Sequence, residues 1–238
     1  MEQLGRRHEL ANVFNDMLTM AICSFHSTNI ESQLQEKDAA NEELYMQIIG
    51  RYEKEEINNI FPKILGCLML NVHENPYSDI LGEYFMQNIT HGQNGQFFTP
   101  ESICDMMAAM QYDEEVIEYK KVHDPACGSG RTMLAFAKHQ PNNYFFGVDN
   151  SNTCAKMTTF NFFLNGMSGE VSWMDSLSME WYGGWHINTY GMGIVPIEKE
   201  QSLIWTKPPE KKPMPLALEQ ADQLKAVTVT AGPQLELF

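Results

Sequence analysis

The sequence has no Cys-x-x-Cys pair. Its five cysteines, Cys23, Cys67, Cys104, Cys127 and Cys154, are odd in number and scattered, which gives no basis for a disulfide framework or a zinc site. The seven histidines show no metal-ligand spacing, so core or surface roles account for them. Positive charge is scarce: 16 Lys and Arg stand against 31 Asp and Glu, a formal net charge of -15. A phosphate backbone repels such a chain unless its few cations cluster, which disfavours an autonomous DNA binder. No apolar run approaches the ~18 residues that a membrane-spanning helix needs, and the start MEQLGRRHEL has no signal-peptide core. The chain therefore reads as cytoplasmic, with no membrane role. It shows no internal repeat.

What is present is globular. The 238 residues are 43% hydrophobic, 11% aromatic and 20% charged, which excludes wholesale disorder and suits one domain with a helical extension. Leu10, Val13, Phe14, Leu18 and Ala21 recur at helical spacing. A second helix is expected from about Asn41 to Lys54 and a third from about Glu56 to Val72. Asn75-Pro76 breaks the pattern, and a short helix follows through Phe85. With no Gly-rich loop and no cluster of metal ligands, residues 1–90 read as a helical packing domain.

The texture changes after His91. Gly92 to Gly95 mark a turn, followed by Gln96-Phe97-Phe98-Thr99-Pro100 and a helix from Glu101 to Gln111. Thr99 and Pro100 suit its first turn. A short strand, Lys121 to His123, runs into Asp124-Pro125-Ala126-Cys127-Gly128-Ser129-Gly130, and a helix from Arg131 to Lys138 follows. Tyr144 to Val148 reads as a buried strand ending in Asp149, Ser151 starts a helix to about Leu164, and Glu170 to Trp173 is a third strand ending near Asp175. This alternation predicts a parallel α/β sheet over residues 91–210. Leu177 to Glu200 reads as irregular, with strands at Met192 to Ile197 and Ser202 to Thr206 joined by a turn over Glu198 to Gln201. Residues 211–238 form a Pro-rich tail, with a short helix expected over Leu216 to Lys225.

The chemistry concentrates in Asp124 to Gly130. Gly128 and Gly130 permit positive φ and leave a ligand unobstructed, and the helix that follows offers free N–H groups. Asp149 ends the next strand about twenty residues on, where doubly wound sheets receive a ribose. Asp175 ends the third strand on the same edge. The plainer reading is that these aspartates only cap helices.

DPACGSG after a strand, with QFFTP about thirty residues upstream, resembles the adenine-specific DNA methyltransferases, most of all the modification subunits of type I restriction-modification systems. The resemblance covers roughly Gly92 to Leu177. It implies a Rossmann-like fold, S-adenosylmethionine as cofactor, and methylation of the exocyclic amine of adenine in DNA. It implies that Phe98, Thr99 and Pro100 line the methionine end of the cofactor and that Asp124, Ala126, Gly128 and Ser129 form the loop under it. Asp149 would hold the ribose hydroxyls, and Asp175 would accept from the adenine amine. An acidic pocket suits a sulfonium cation.

The catalytic motif departs from the family. The family has Asn/Asp-Pro-Pro-aromatic after its fourth strand, because the flipped base needs an acceptor for its amine and a ring to stack on. Here the only counterpart is Lys207-Pro208-Pro209-Glu210. An ammonium has three donors and no acceptor, and a carboxylate cannot stack. Too little chain follows Glu210 for three more strands with their helices, so the sheet is expected to be truncated. The expectation is therefore a pseudoenzyme that binds cofactor and is inactive alone. The alternatives are an active methyltransferase using a replacement motif or a partner subunit, and a non-enzymatic adaptor.

The adaptor reading comes from the last five residues. Gln234-Leu235-Glu236-Leu237-Phe238 resembles the peptide by which bacterial polymerases and repair proteins dock on the sliding clamp. Leu235, Leu237 and Phe238 would supply apolar contact and the Gln234 amide a hydrogen bond; alternatively they pack back onto the domain. Trp173, Trp181, Tyr182, Trp185 and Tyr190 read as a packed lid, Cys127 as small packing, and Lys207, Lys211 and Lys212 as a solvated cluster.

Overall fold

Apolar side chains recurring every three or four positions make the first ninety residues helical. In a computed structural model describing residues 4–26, 38–90, 98–111, 118–189, 191 and 193–205, these helices are α1 (Leu10–Ser24), α2 (Ala39–Ile49), α3 (Phe61–Glu74) and α4 (Ile80–Phe85). Asp38 caps α2 by accepting the N–H groups of Ala40 and Asn41, and Asp79 caps α4 by accepting that of Gly82. A π-helical turn, Glu56–Ile60, leads into α3, with Pro62 where its missing N–H costs no helical bond.

The remainder adds α5 (Glu101–Gln111), α6 (Arg131–Ala137) and α7 (Asn152–Leu164) to β1 (Lys121–Asp124), β2 (Tyr144–Asp149), β3 (Ser168–Asp175), β4 (Glu180–Ile187) and β5 (Ile194–Pro196). The class is α/β, as expected. The strands lie in the order β1-β2-β3-β4-β5. The first three are parallel, with Asp124 opposite Gly147 and Asp149 opposite Trp173. β4 and β5 extend the sheet antiparallel beyond β3. Among the described residues, the other edge of β1 has no partner strand.

Two expectations fail here. The stretch read as irregular contains β4, and Ser202 onward forms no strand through Trp205. The two glycines of Glu-Trp-Tyr-Gly-Gly-Trp-His-Ile imitate a turn. Gly184 instead makes room for an aromatic ring, since a Cβ there would lie 2.7 Å from Cη2 of Trp181. The strand expected over Met192 to Ile197 narrows to β5, and the expected hairpin turn is a 3-10 turn, Lys199–Gln201, closed by a reciprocal Glu198–Gln201 capping box.

Contacts divide the chain into Met1–Thr206 and Lys207–Phe238, and all described residues belong to the first unit. Within it the helical segment and the sheet share a core. Phe14, Leu18 and Leu81 pack with Met157 and Phe160 of α7 and Ile194 of β5, and the Ile194 N–H donates to the Phe25 carbonyl at 3.0 Å. A second cluster, with Phe145, Val171 and Ile187 from the sheet and Leu134 and Phe162 from α6 and α7, fills one sheet face.

Candidate functional site

The loop after β1 is held by its own backbone. Asp124 Oδ1 accepts the Ala126 N–H at 3.0 Å, and the Cys127 N–H donates to the Val148 carbonyl of β2 at 2.8 Å. Gly128 then adopts φ 57°, a left-handed conformation that disfavours a side chain. A Cβ on Gly128 would also lie 2.9 Å from the Phe98 ring. Phe98 thus closes on the loop, and it stacks on Phe85, with ring centroids 6.0 Å apart.

Asp149 ends β2 and holds the turn together. Its Oδ2 accepts the Gly128 N–H at 2.9 Å and its Oδ1 the Ser151 N–H at 2.8 Å. Burial pushes this carboxyl above its ordinary value, with nearby Asp124 pushing the same way; the two N–H bonds oppose the shift. Asp175 ends β3 in a more exposed setting. Its Oδ1 accepts the N–H groups of Leu177 and Ser178 at 2.8 and 3.2 Å, and these bonds hold it below its ordinary value.

The structure therefore brings Phe98, Asp124, Gly128 and Asp149 together around one loop. Ala126, Thr99 and Pro100 lie exposed beside it, and the Thr99 carbonyl accepts from Arg131 at 3.2 Å. Ser129 is buried, and its hydroxyl donates to Asp79 at 2.5 Å. Cys127 packs against Thr158 at 3.4 Å, and burial raises its thiol well above the ordinary range. That environment suits packing and not nucleophilic chemistry. Gln96 and Phe97 lie outside the described residues. So do Lys207, Pro208, Pro209 and Glu210, and Gln234, Leu235, Leu237 and Phe238 of the tail.

Two buried clusters escaped the sequence reading. Asp79 accepts from Ser129, from Arg131 Nε at 2.8 Å and from Asn161 at 3.0 Å, while capping α4. It joins the loop to the helical segment. The sequence signal was Arg131, a charge beginning a buried helix and thus in need of a partner. The second is Glu170, fully buried on β3. It accepts from Ser172 at 3.0 Å, Ser202 at 2.5 Å and the Leu203 N–H at 2.8 Å, with His186 at 3.3 Å. It pins the chain after β5 onto the sheet.

No curated protein matches the chain. A solved structure from Listeria monocytogenes, titled a class I S-adenosylmethionine-dependent methyltransferase, is similar at 15% identity and TM-score 0.28; the match covers 68% of this chain and 52% of that one. The chain thus spans about half the length of that protein. The model of the family described as N-6 DNA Methylase matches residues 77–209. That match begins just before Asp79, takes in the loop and all five strands, and ends at Pro209. Spanning more than half of the sequence, it shows that the chain belongs to the N-6 DNA methylase family.

Proposed function

We propose that this chain binds S-adenosylmethionine at the Asp124–Gly130 loop and does not by itself methylate adenine. S-adenosylmethionine is the cofactor of the family, and the residues present fit it. Each Asp149 oxygen accepts one backbone N–H and keeps a second lone pair for a ribose hydroxyl. Asp175 is half-buried and has acceptor capacity left for an amine. Asp124 and Asp149 together offer negative charge to a sulfonium. Bound there, the cofactor supplies an electrophilic methyl group on a positively charged sulfur.

The observation that carries the reading is the Gly128–Asp149–Phe98 arrangement. It rigidifies a loop at the carboxyl ends of β1 and β2, where open α/β sheets take their ligands. The protein's own part is to orient: Asp149 fixes the loop by accepting the Gly128 N–H, and Phe98 covers it.

Inactivity rests on Lys207-Pro208-Pro209-Glu210. The family match ends within this segment, which supports reading it as the motif position. A lysine there accepts no proton from an amine, and its charge opposes the cation formed during transfer. Among the described residues the outer edge of β1 has no partner strand, which favours a second component: a modification subunit of the restriction-modification type working with other subunits that supply the missing acceptor, ring and DNA grip.

Calorimetric titration with S-adenosylmethionine tests the binding. Saturable binding that Asp149→Ala abolishes is expected, with no methyl incorporated into unmethylated DNA by the chain alone. Absence of binding refutes the cofactor reading. Methylation by the purified chain that Asp149→Ala abolishes refutes the inactivity.

A further inference from the structure

A cavity of about 440 Å³ lies between α1, α2, the start of α7 and the strands β3 and β4. No residue of the Asp124–Gly130 loop lines it, nor does Asp149. Most of its wall is apolar. Trp173, Tyr182 and Trp185 give it aromatic sides, and the rings of Trp173 and Tyr182 sit 5.2 Å apart at 41°. Its mouth lies beside Tyr182 and Leu44, which are 42% and 44% exposed. Polar side chains share the wall, with Asp16 and Arg51 lining it as well as Lys156, and a cavity of this size suits a small molecule.

The polar groups choose the ligand. Lys156 lines the cavity and donates to Asn15 Oδ1 at 3.1 Å, one of the three bonds an ammonium can make. Burial lowers Lys156 to about 8, while Asp16 and Cys23 push the other way. The nearby carboxylate of Asp16 is already taken: Arg51 Nη1 reaches its two oxygens at 2.8 and 3.1 Å, and the Tyr52 hydroxyl donates at 2.9 Å. Lys156 is thus a desolvated cation whose carboxylate neighbour is committed elsewhere. An anionic group in the cavity would repair that.

Gly183 lines the cavity. It faces Trp173 across the β3–β4 pair, and a Cβ there would meet only Trp173 Cε3, at an ordinary 3.7 Å. A larger side chain at this position would enter the cavity without backbone strain.

We infer that this cavity binds a small planar aromatic anion, its ring against Trp173 and Tyr182 and its acidic group on Lys156. The site is separate from the cofactor loop but adjacent to it, because the Trp173 indole N–H donates to the Asn150 carbonyl at 3.1 Å, next to Asp149. The net charge of -15 points to a compact monoanion and away from a polyanion such as DNA.

The probe is naphthalene-2-carboxylate, compared by calorimetry with the neutral naphthalene-2-carboxamide. Saturable binding of the carboxylate is expected, about tenfold tighter than the amide, which corresponds to about 1.4 kcal/mol. Lys156→Met should erase that preference while weak aromatic binding remains, and Gly183→Leu should abolish binding of both. Thermal melts establish that each variant folds; should Gly183→Leu not fold, the loss of preference in Lys156→Met decides alone. S-adenosylmethionine should leave the bound probe in place. Equal affinity for acid and amide, an unchanged preference in Lys156→Met, full binding to folded Gly183→Leu, or displacement by S-adenosylmethionine would each overturn the inference.

Discussion

Replacing Glu170 with glutamine keeps the shape of a fully buried side chain and removes only its charge. The amide can face its oxygen toward the Leu203 N–H and His186, and its NH2 toward Ser172, which can turn to accept; Ser202 Oγ already accepts the Ile204 and Trp205 N–H groups, so its hydroxyl is left without an acceptor. The loss is therefore the Ser202 contact and the charge assistance on the other three. A hydrogen bond to a charged group contributes about 1.5–3 kcal/mol against about 1 for a neutral one, so three contacts lose about 1.5–6 kcal/mol and stranding the Ser202 hydroxyl adds about 1–3. The desolvation that ionised Glu170 suffers offsets part of this, leaving an expected loss of at least about 2 kcal/mol at neutral pH.

The hydrogen bonds outweigh that desolvation, because Glu170 sits below its ordinary value of 4.5 despite its burial. A depressed carboxyl contributes stability that is present above the unfolded-state value and lost as pH falls through the folded one. The gap between wild type and Glu170→Gln should therefore narrow once pH drops below 4.5. Urea denaturation at neutral and acidic pH measures it. Hydrogen exchange at Leu203 and Trp205, whose N–H groups bond Glu170 and Ser202, localises it. A gap that is the same at both pH values, or exchange unchanged at these two amides, refutes the reasoning.

Gly128→Ala places a Cβ at φ 57°, 2.9 Å from Phe98; a stability loss of about 1–3 kcal/mol and loss of S-adenosylmethionine binding are expected by melting and calorimetry. Asp79→Ala removes the buried carboxylate partner of Arg131, leaving it half-exposed Glu83 and the Thr99 carbonyl, and should cost about 3–5 kcal/mol, with Arg131→Met in the same chain restoring part of it in denaturant titrations. Asp149 is raised by burial, and the proposed ribose contact needs its ionised form. As pH falls, cofactor affinity should therefore weaken at a higher pH than an exposed aspartate would dictate, which a calorimetric pH series reads. If the tail docks on the sliding clamp, deleting Gln234 to Phe238 abolishes clamp capture; unchanged capture sinks that proposal.

The parallel half of the sheet was legible because its signals are local. Apolar runs end in Asp124, Asp149 and Asp175, and glycines follow the first of them. Helix α5 could be read to the residue from Pro100 and the apolar spacing after it. What escaped was set by tertiary contacts. Gly183 and Gly184 look like punctuation in the sequence, yet one gives space to Trp181 and the other borders a cavity, so β4 was invisible until its aromatic neighbours were placed. Asp79 and Arg131 lie 52 positions apart, and Glu170 meets Ser202 from 32 positions away; no periodicity joins such pairs.

These two carboxylates share a physical logic. Each is buried where ionised groups are rarely tolerated, and each ties a loop to the sheet by accepting several donors at once. Asp79 locks the loop proposed to take the cofactor, and Glu170 locks the segment that follows β5. In the proposed site the motif residues do the contacting, while residues with no motif hold them in place. The two sets are separable by experiment: a change at Asp79 or Glu170 should alter stability first and ligand affinity through it, whereas a change at Asp149 should alter affinity directly.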